Sequence, residues 1–238
     1  MEQPAPQPAY EPLAVRMKQY EASFDFSLPS DSPIVLRLDG HTFSRFTNHF
    51  CRPFDQRIHD AMIATSTDLL KYFPAATVAY TQSDEITLVF PTGVQGFNDR
   101  IQKLSSLAAS YCSVRFNAHL VAFLAVKPEP KVKDSAFDKL GTAHFDARFF
   151  AVPTQMHGKT ANELKDMMRT EKGVVFEEAV PKWAIEGSLL KREQVEHEGM
   201  NKKTGKVEKT LRTKIRVEDR GVRTYSAENL RLVTDKYW

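Results

Sequence analysis

The stretch Thr77-Val-Ala-Tyr-Thr-Gln-Ser-Asp-Glu-Ile-Thr-Leu-Val-Phe90 decides the fold. β-Branched and aromatic residues lie on both sides of a polar centre, which predicts a hairpin turning near Ser83-Asp84, with Pro91 as its end. Upstream, Ile34-Val-Leu-Arg-Leu38 predicts a buried strand that runs into Asp39-Gly40. Between the two, Asp55 is placed to cap a helix reaching about Tyr72, with Ile58, Met62, Thr65 and Leu69 on one face. Downstream, Phe97 to about Ala118 keeps a helical period through Ile101, Leu104, Leu107, Ala108 and Tyr111, and Ala143 to Val152 alternates as a strand. The order strand, helix, strand, strand, helix, strand is the split βαβ arrangement. It predicts an α+β, ferredoxin-like domain: an antiparallel sheet with two helices on one face.

The flanks differ in character. Residues 1–12 are rich in Pro and Gln and read as a disordered tail, followed by helical spacing at Leu13, Met17, Tyr20 and Phe24. Residues 13–154 form the expected sheet-and-helix domain, and 155–238 a smaller C-terminal lobe. In that lobe Thr160 to Met168 predicts a short helix. Trp183 to Val195 and Val207 to Val217 predict a long hairpin whose tip, Glu198 to Gly205, is basic.

Sixteen Phe in 238 residues supply bulk for a core, and the formal charge of +3 permits a nucleic-acid partner without arguing for one. Cys51 and Cys112 stand far apart with no CxxC or His companion, so a zinc module is excluded and free thiols are expected. No apolar run approaches the roughly 20 residues of a membrane span, and no secretory signal is legible. The expected address is intracellular, cytoplasmic or nuclear, with a mitochondrial one left open.

Two acids carry the chemistry. Asp39 ends an apolar strand and Asp84 sits at the hairpin tip, and the topology sets that strand beside the hairpin. Two carboxylates brought close together repel, which calls for a cation, and hard oxygen ligands with room for water and phosphate suit Mg²⁺. Gly40 lets a phosphate or metal approach the backbone. Around them, His41 to Asp55 is a basic and aromatic loop: Arg37, Arg45 and Arg52 could serve phosphates, and Phe43 or Phe50 a base. Taken singly, each acid is more often structural, since Asp-Gly is a common turn pair and acidic hairpin tips are usually solvated.

Arg37-Leu-Asp-Gly40 followed by Phe43 and Phe46, Arg-Pro-x-Asp at Arg52 to Asp55, and Ala79-Tyr-Thr-Gln-Ser-Asp-Glu85 together resemble the tRNA-His guanylyltransferase family. Phe145-Asp-Ala-Arg148 and His157-Gly-Lys-Thr-Ala-Asn-Glu-Leu164 are similar to later segments of its fungal guanylyltransferase-like members. The resemblance implies a palm-like catalytic domain that adds guanosine to the 5′ end of tRNA, in the 3′→5′ direction. It acts through two Mg²⁺ ions with GTP and ATP as substrates, and the same domain could serve templated repair of tRNA 5′ ends. By position, Asp39, Gly40 (through its carbonyl) and Asp84 would hold the metal. Asp39, Gly40, His41, Thr42, Phe43, Ser44, Ser83 and Asp84 would contact nucleotide, with Arg37, Arg52 and Glu85 in second rank. The implied partners are the acceptor stem of tRNA and further copies of the chain, as dimer or tetramer.

The sequence departs from the family at one place. Members carry a largely helical segment with a Trp-Arg-Gln…Asp…Asn signature between the FDAR strand and the HGKT segment, whereas here Pro153-Thr-Gln-Met-His157 joins them directly. That departure supports a rival expectation, a non-catalytic tRNA-binding or oligomer-partner protein using the Lys-rich hairpin. A nucleotide cyclase, which shares the palm arrangement, is disfavoured by the wording of the two acidic motifs. His157-Gly-Lys-Thr lacks the glycine and strand of a phosphate-binding P-loop and reads as a polar helix start.

Overall fold

A computed structural model describes residues 11–29, 32–151, 183, 186–200, 207–220, 232 and 235–237. The strand predicted first is β1, Ile34–Gly40, and the hairpin is β2, Val78–Gln82, with β3, Glu85–Phe90. The last strand of the split βαβ unit is β4, Phe145–Ala151. A second hairpin follows, β5, Ser188–Met200, and β6, Val207–Glu218. All six strands form one antiparallel sheet in the order β4-β1-β3-β2-β5-β6. The first four carry the ferredoxin-like order. The long hairpin extends the same sheet beyond β2 through the pairing of Val78 with Lys191 and Thr81 with Ser188.

Alternation explains the layering. Along β1, Ile34, Leu36, Leu38 and Gly40 are buried while Val35, Arg37 and Asp39 are half-buried. Helices α3, Gln56–Tyr72, and α4, Ile101–Val126, cover the buried face. As expected, Asp55 caps α3, its carboxylate accepting from the Arg57 amide at 3.0 Å. Helix α4 outruns its expected end at Ala118, because Leu104, Ala108, Cys112, Phe116, Leu120 and Leu124 continue one buried stripe. Arg115 and His119 of α4 both bond Asp68 of α3, at 2.6 and 2.7 Å, and Tyr72 stacks on Tyr111.

Side chains from α4 also fix where β4 begins. Asn117 donates to the Ala143 carbonyl at 2.6 Å, and Ser113 Oγ accepts from the Phe145 amide at 3.0 Å. At the other end, Arg192 of β5 donates to the Ala76 and Leu70 carbonyls, tying the second hairpin to the C-terminal end of α3.

Helix α1, Leu13–Ala22, forms where the spacing predicts it, yet none of its residues is buried; Leu13, Met17, Tyr20 and Phe24 are exposed. Both cysteines are free thiols, and burial pushes Cys112 well up. Between α4 and β4 lies a 3₁₀ helix at Asp134–Lys139. The hairpin begins at Ser188 rather than at Trp183. The helix expected at Thr160 to Met168 and most of the basic tip lie outside the described residues.

Candidate functional site

Register brings the acids together. Asp39 faces Glu85 across β1–β3 and Asp146 across β1–β4, so three carboxylates form a row on the face of the sheet that the helices leave open. Gln82 continues that row on β2. One step along, Arg37 faces Arg148 and Thr87. Arg37 Nε is shielded from solvent and has no hydrogen-bond partner among the described residues. Arg148 pairs with Asp146 at 3.3 Å.

Asp84 enters from the β2–β3 turn. The turn has two residues, Ser83 and Asp84, between the paired Gln82 and Glu85. Ser83 takes a φ of 55°, the left-handed value that a tight hairpin requires. Ser83 Oγ donates to Asp84 Oδ1 at 2.8 Å and so orients the carboxylate. The Asp84 carbonyl accepts from the Gly40 amide at 3.2 Å.

Gly40 is the closest point of the two motifs. A Cβ there would lie 3.0 Å from Asp84 Cβ and 2.5 Å from Phe43 Cδ2, so only glycine fits. Beyond it, Thr42 adopts φ 50° and ψ 34°, costly for a β-branched residue, and starts the short helix α2, Phe43–Thr47.

Helix α2 separates two cavities. On one side, about 280 Å³ is lined by Phe43, Ser44, Arg52, Phe54, His59, Ser83, Asp84 and Trp183, among others. On the other, about 700 Å³ is lined by His41, Thr42, Arg45 and neighbours from the segment 133–144. Of the sequence-predicted nucleotide residues, Phe43, Ser44, Ser83, Asp84 and Arg52 therefore share the first cavity. His41 and Thr42 belong to the second, and Arg45 is separated from Arg52 by the helix. Phe50, just beyond α2, is a buried core residue packed on Phe46, so it has no face free for a base.

The sequence reading missed several groups. Trp183 stacks on His59 with ring centroids 4.0 Å apart and meets Phe54 edge-on, which closes the first cavity with aromatic faces. Burial lowers the His59 pKa from its ordinary value, against the raising influence of Asp219 and Asp60. Asp146 was also missed; the alternation of β4 relative to β1 was the signal available.

Asp55 and Arg57 support the floor of this cavity. Burial acts to raise the Asp55 pKa, but bonds from the Arg57 side chain and from the Cys51 and Arg57 amides hold it below the ordinary carboxylate value. Arg57 Nη1 reaches the Lys127 carbonyl at 3.0 Å and so links the cavity to the end of α4.

A family model described as tRNAHis guanylyltransferase (Thg1) matches residues 14–153, more than half of the chain. The chain belongs to the tRNAHis guanylyltransferase family. An uncharacterized protein of Acanthamoeba polyphaga mimivirus is 39% identical over 151 residues, covering 58% of this chain and 51% of that protein. The tRNA(His) guanylyltransferase of Debaryomyces hansenii is 32% identical over 143 residues, covering 59% and 50%. The chain thus spans about half the length of the curated relatives it matches. A bacterial tRNA(His) guanylyltransferase (Thg1)-like protein in complex with GTP superposes with a TM-score of 0.60 at 23% identity, over 87% of this chain and 90% of that one. The Saccharomyces cerevisiae enzyme gives 0.55 at 21%, over 72% and 91%. These two likenesses show the palm-like fold.

Asp39, Gly40 and Asp84 offer oxygen donors of the kind that hard cations take. Two carboxylates and the Gly40 carbonyl are oxygen donors, and the Gly40 cradle brings their backbones together. Among the described residues, no group of three or more His, Cys, Asp or Glu side chains is placed to hold a metal ion. The described residues contain no helix long and apolar enough to cross a membrane.

Proposed function

We propose that the chain is a Mg²⁺-dependent nucleotidyltransferase that adds guanosine to the 5′ end of tRNA, in the 3′→5′ direction. The observation that carries this reading is the contact at Gly40, where the Asp39-Gly40 end of β1 meets the turn bearing Asp84, a residue that lines the aromatic cavity. Membership of the tRNAHis guanylyltransferase family supports the substrate, and ATP- and GTP-bound structures of bacterial Thg1-like proteins support the nucleotides.

Asp39, the Gly40 carbonyl and Asp84 would hold two Mg²⁺ ions, which when bound would favour the attacking oxygen and neutralise the leaving phosphates. Ser83 keeps the Asp84 carboxylate oriented through its 2.8 Å bond. Ser44 and Arg52 offer donors to the triphosphate, and Phe43, Phe54 and Trp183 enclose the base. Arg52 would face the phosphates from the first cavity, with Arg37 and Glu85, beside Asp39 on the sheet, in second rank. In the transfer, the 3′-hydroxyl oxygen of GTP bonds to the 5′ phosphorus of an activated tRNA. The bond to the activating group breaks, the hydroxyl proton passes to water, and the activating nucleotide or pyrophosphate leaves.

Incubation with radiolabelled GTP and tRNA carrying a 5′-triphosphate or 5′-monophosphate, the latter with ATP, tests this. Label at the tRNA 5′ end supports it; no label from either RNA defeats it. A second reading, a non-catalytic tRNA-binding or oligomer-partner protein, is favoured by the direct joining of Pro153 to His157 and by the family match ending at residue 153. It expects salt-sensitive tRNA binding without transfer.

A further inference from the structure

The second cavity is larger than the first, about 700 Å³ against 280 Å³, and differs in character. Arg45 of α2 converges on it with Lys133 and Lys139 from the segment before β4, and His41, His49 and His144 complete the wall. None of its described lining residues is Asp or Glu. Arg45, Lys133 and Lys139 form no ion pair among the described residues.

The wall is held in place by its own bonds. His49 Nδ1 meets Ser135 Oγ at 2.8 Å, Lys133 Nζ donates to the Asn48 carbonyl at 2.9 Å, and the His41 and His144 rings stack 4.9 Å apart. In a chain whose net charge is only +3, three exposed cations gathered at one concavity make a local positive field that attracts a polyanion. The cavity also borders the His41–Thr42 backbone, one residue beyond the Gly40 contact, so its occupant lies next to the acidic row.

We propose that this basin binds the phosphate backbone of the RNA substrate, leaving the first cavity to the mononucleotide. The inference rests on the nucleotidyltransferase reading for the identity of the RNA, but not for the binding itself. Several convergent cations in a wide concavity without Asp or Glu in its described lining suit successive phosphates of a strand. A single nucleoside triphosphate would use fewer cations and an aromatic wall for its base.

The test measures binding without turnover. Full-length Lys133→Gln/Lys139→Gln protein is titrated, in the absence of Mg²⁺ and GTP, against a fluorescent 5′-phosphorylated acceptor-stem RNA hairpin at several salt concentrations. A fluorescent GTP analogue is titrated separately, with Mg²⁺. Removing two phosphate contacts should weaken RNA binding about tenfold at low salt and flatten the log–log salt slope by about 1.5, with binding of the GTP analogue unchanged. Lys139→Glu alone, which keeps the Lys133 bond to Asn48, should weaken RNA binding at least as much as the loss of one contact. Unchanged RNA affinity and slope would overturn the proposal. So would an equal loss in the remote Lys18→Gln/Lys103→Gln protein, or a loss confined to the GTP analogue. If wild-type protein transfers no guanosine but loses RNA on the Lys133 and Lys139 changes, the basin stands and only the catalytic reading falls.

Discussion

Gly40→Ala is the substitution that the geometry judges most sharply. The new methyl would sit 2.5 Å from Phe43 Cδ2, 2.8 Å from Phe43 Cγ and 3.0 Å from Asp84 Cβ, so something must move. Phe43 cannot retreat easily. It is buried and packed against Phe46, Phe116 and Phe145, with ring centroids 5.2 to 5.6 Å away. The turn bearing Asp84 is the softer side, because it has two residues and one of them already holds a strained φ.

Overpacking of this kind costs about 1 to 3 kcal/mol, which for a chain of this size lowers Tm by roughly 2 to 12 °C. A displacement of Asp84 by a fraction of an ångström to about 1 Å should reduce guanosine transfer about a hundredfold. Thermal unfolding followed by circular dichroism, and transfer rates measured well below the variant's Tm, read the two effects separately. A Gly40→Ala protein as stable as wild type would refute the close approach. One that is destabilised but fully active would refute the placing of Asp84 at the reacting centre.

Three further expectations follow from neighbouring groups. Asp55→Asn leaves Arg57 buried without its counter-charge and should cost about 3 kcal/mol at pH 7 in chemical denaturation. Because the folded pKa of Asp55 lies below its unfolded value of about 3.9, its contribution is complete above that pH and fades as the pH falls through the folded value. The variant should therefore lose less stability on acidification than wild type; a parallel loss would refute the assignment. Trp183→Ala should weaken GTP binding about tenfold by calorimetry. It should also raise the His59 pKa toward its ordinary value in a ¹H NMR titration, because burial is what depresses it; an unchanged His59 titration counts against the stack. Thr42→Gly should raise Tm by about 1 to 2 °C, since the left-handed backbone costs threonine more than glycine loses in chain entropy; a fall in Tm would argue against the strain.

Much of this molecule was legible before its structure, for reasons that particular elements make clear. β1 and the β2–β3 hairpin declare themselves because alternation and turn chemistry are local properties, and the Asp55 cap is a local hydrogen bond. That the Asp39-Gly40 end of β1 meets the Ser83-Asp84 turn followed from topology alone. The division of the basic loop between two cavities did not, because Thr42 takes a conformation that a β-branched residue rarely adopts, and α2 then turns Arg45 and Arg52 apart. Trp183 and His59 are more than a hundred residues apart in sequence, and nothing local marks their stacking. Membership of the second hairpin in the main sheet depends on backbone pairing between β2 and β5, which the alternation of either strand leaves open. The α1 pattern shows the converse case, an apolar spacing that buries nothing among the described residues.

The central claim is that Asp39 and Asp84 serve chemistry rather than folding or RNA affinity. Asp39→Asn and Asp84→Asn proteins, compared with wild type for transfer of labelled GTP to 5′-triphosphorylated tRNA, for tRNA affinity and for Tm, test it most directly. The account predicts transfer reduced at least about a thousandfold by either change, with tRNA affinity and Tm close to wild type. Transfer that persists in both variants, or a loss of transfer that merely follows a loss of Tm, would contradict it.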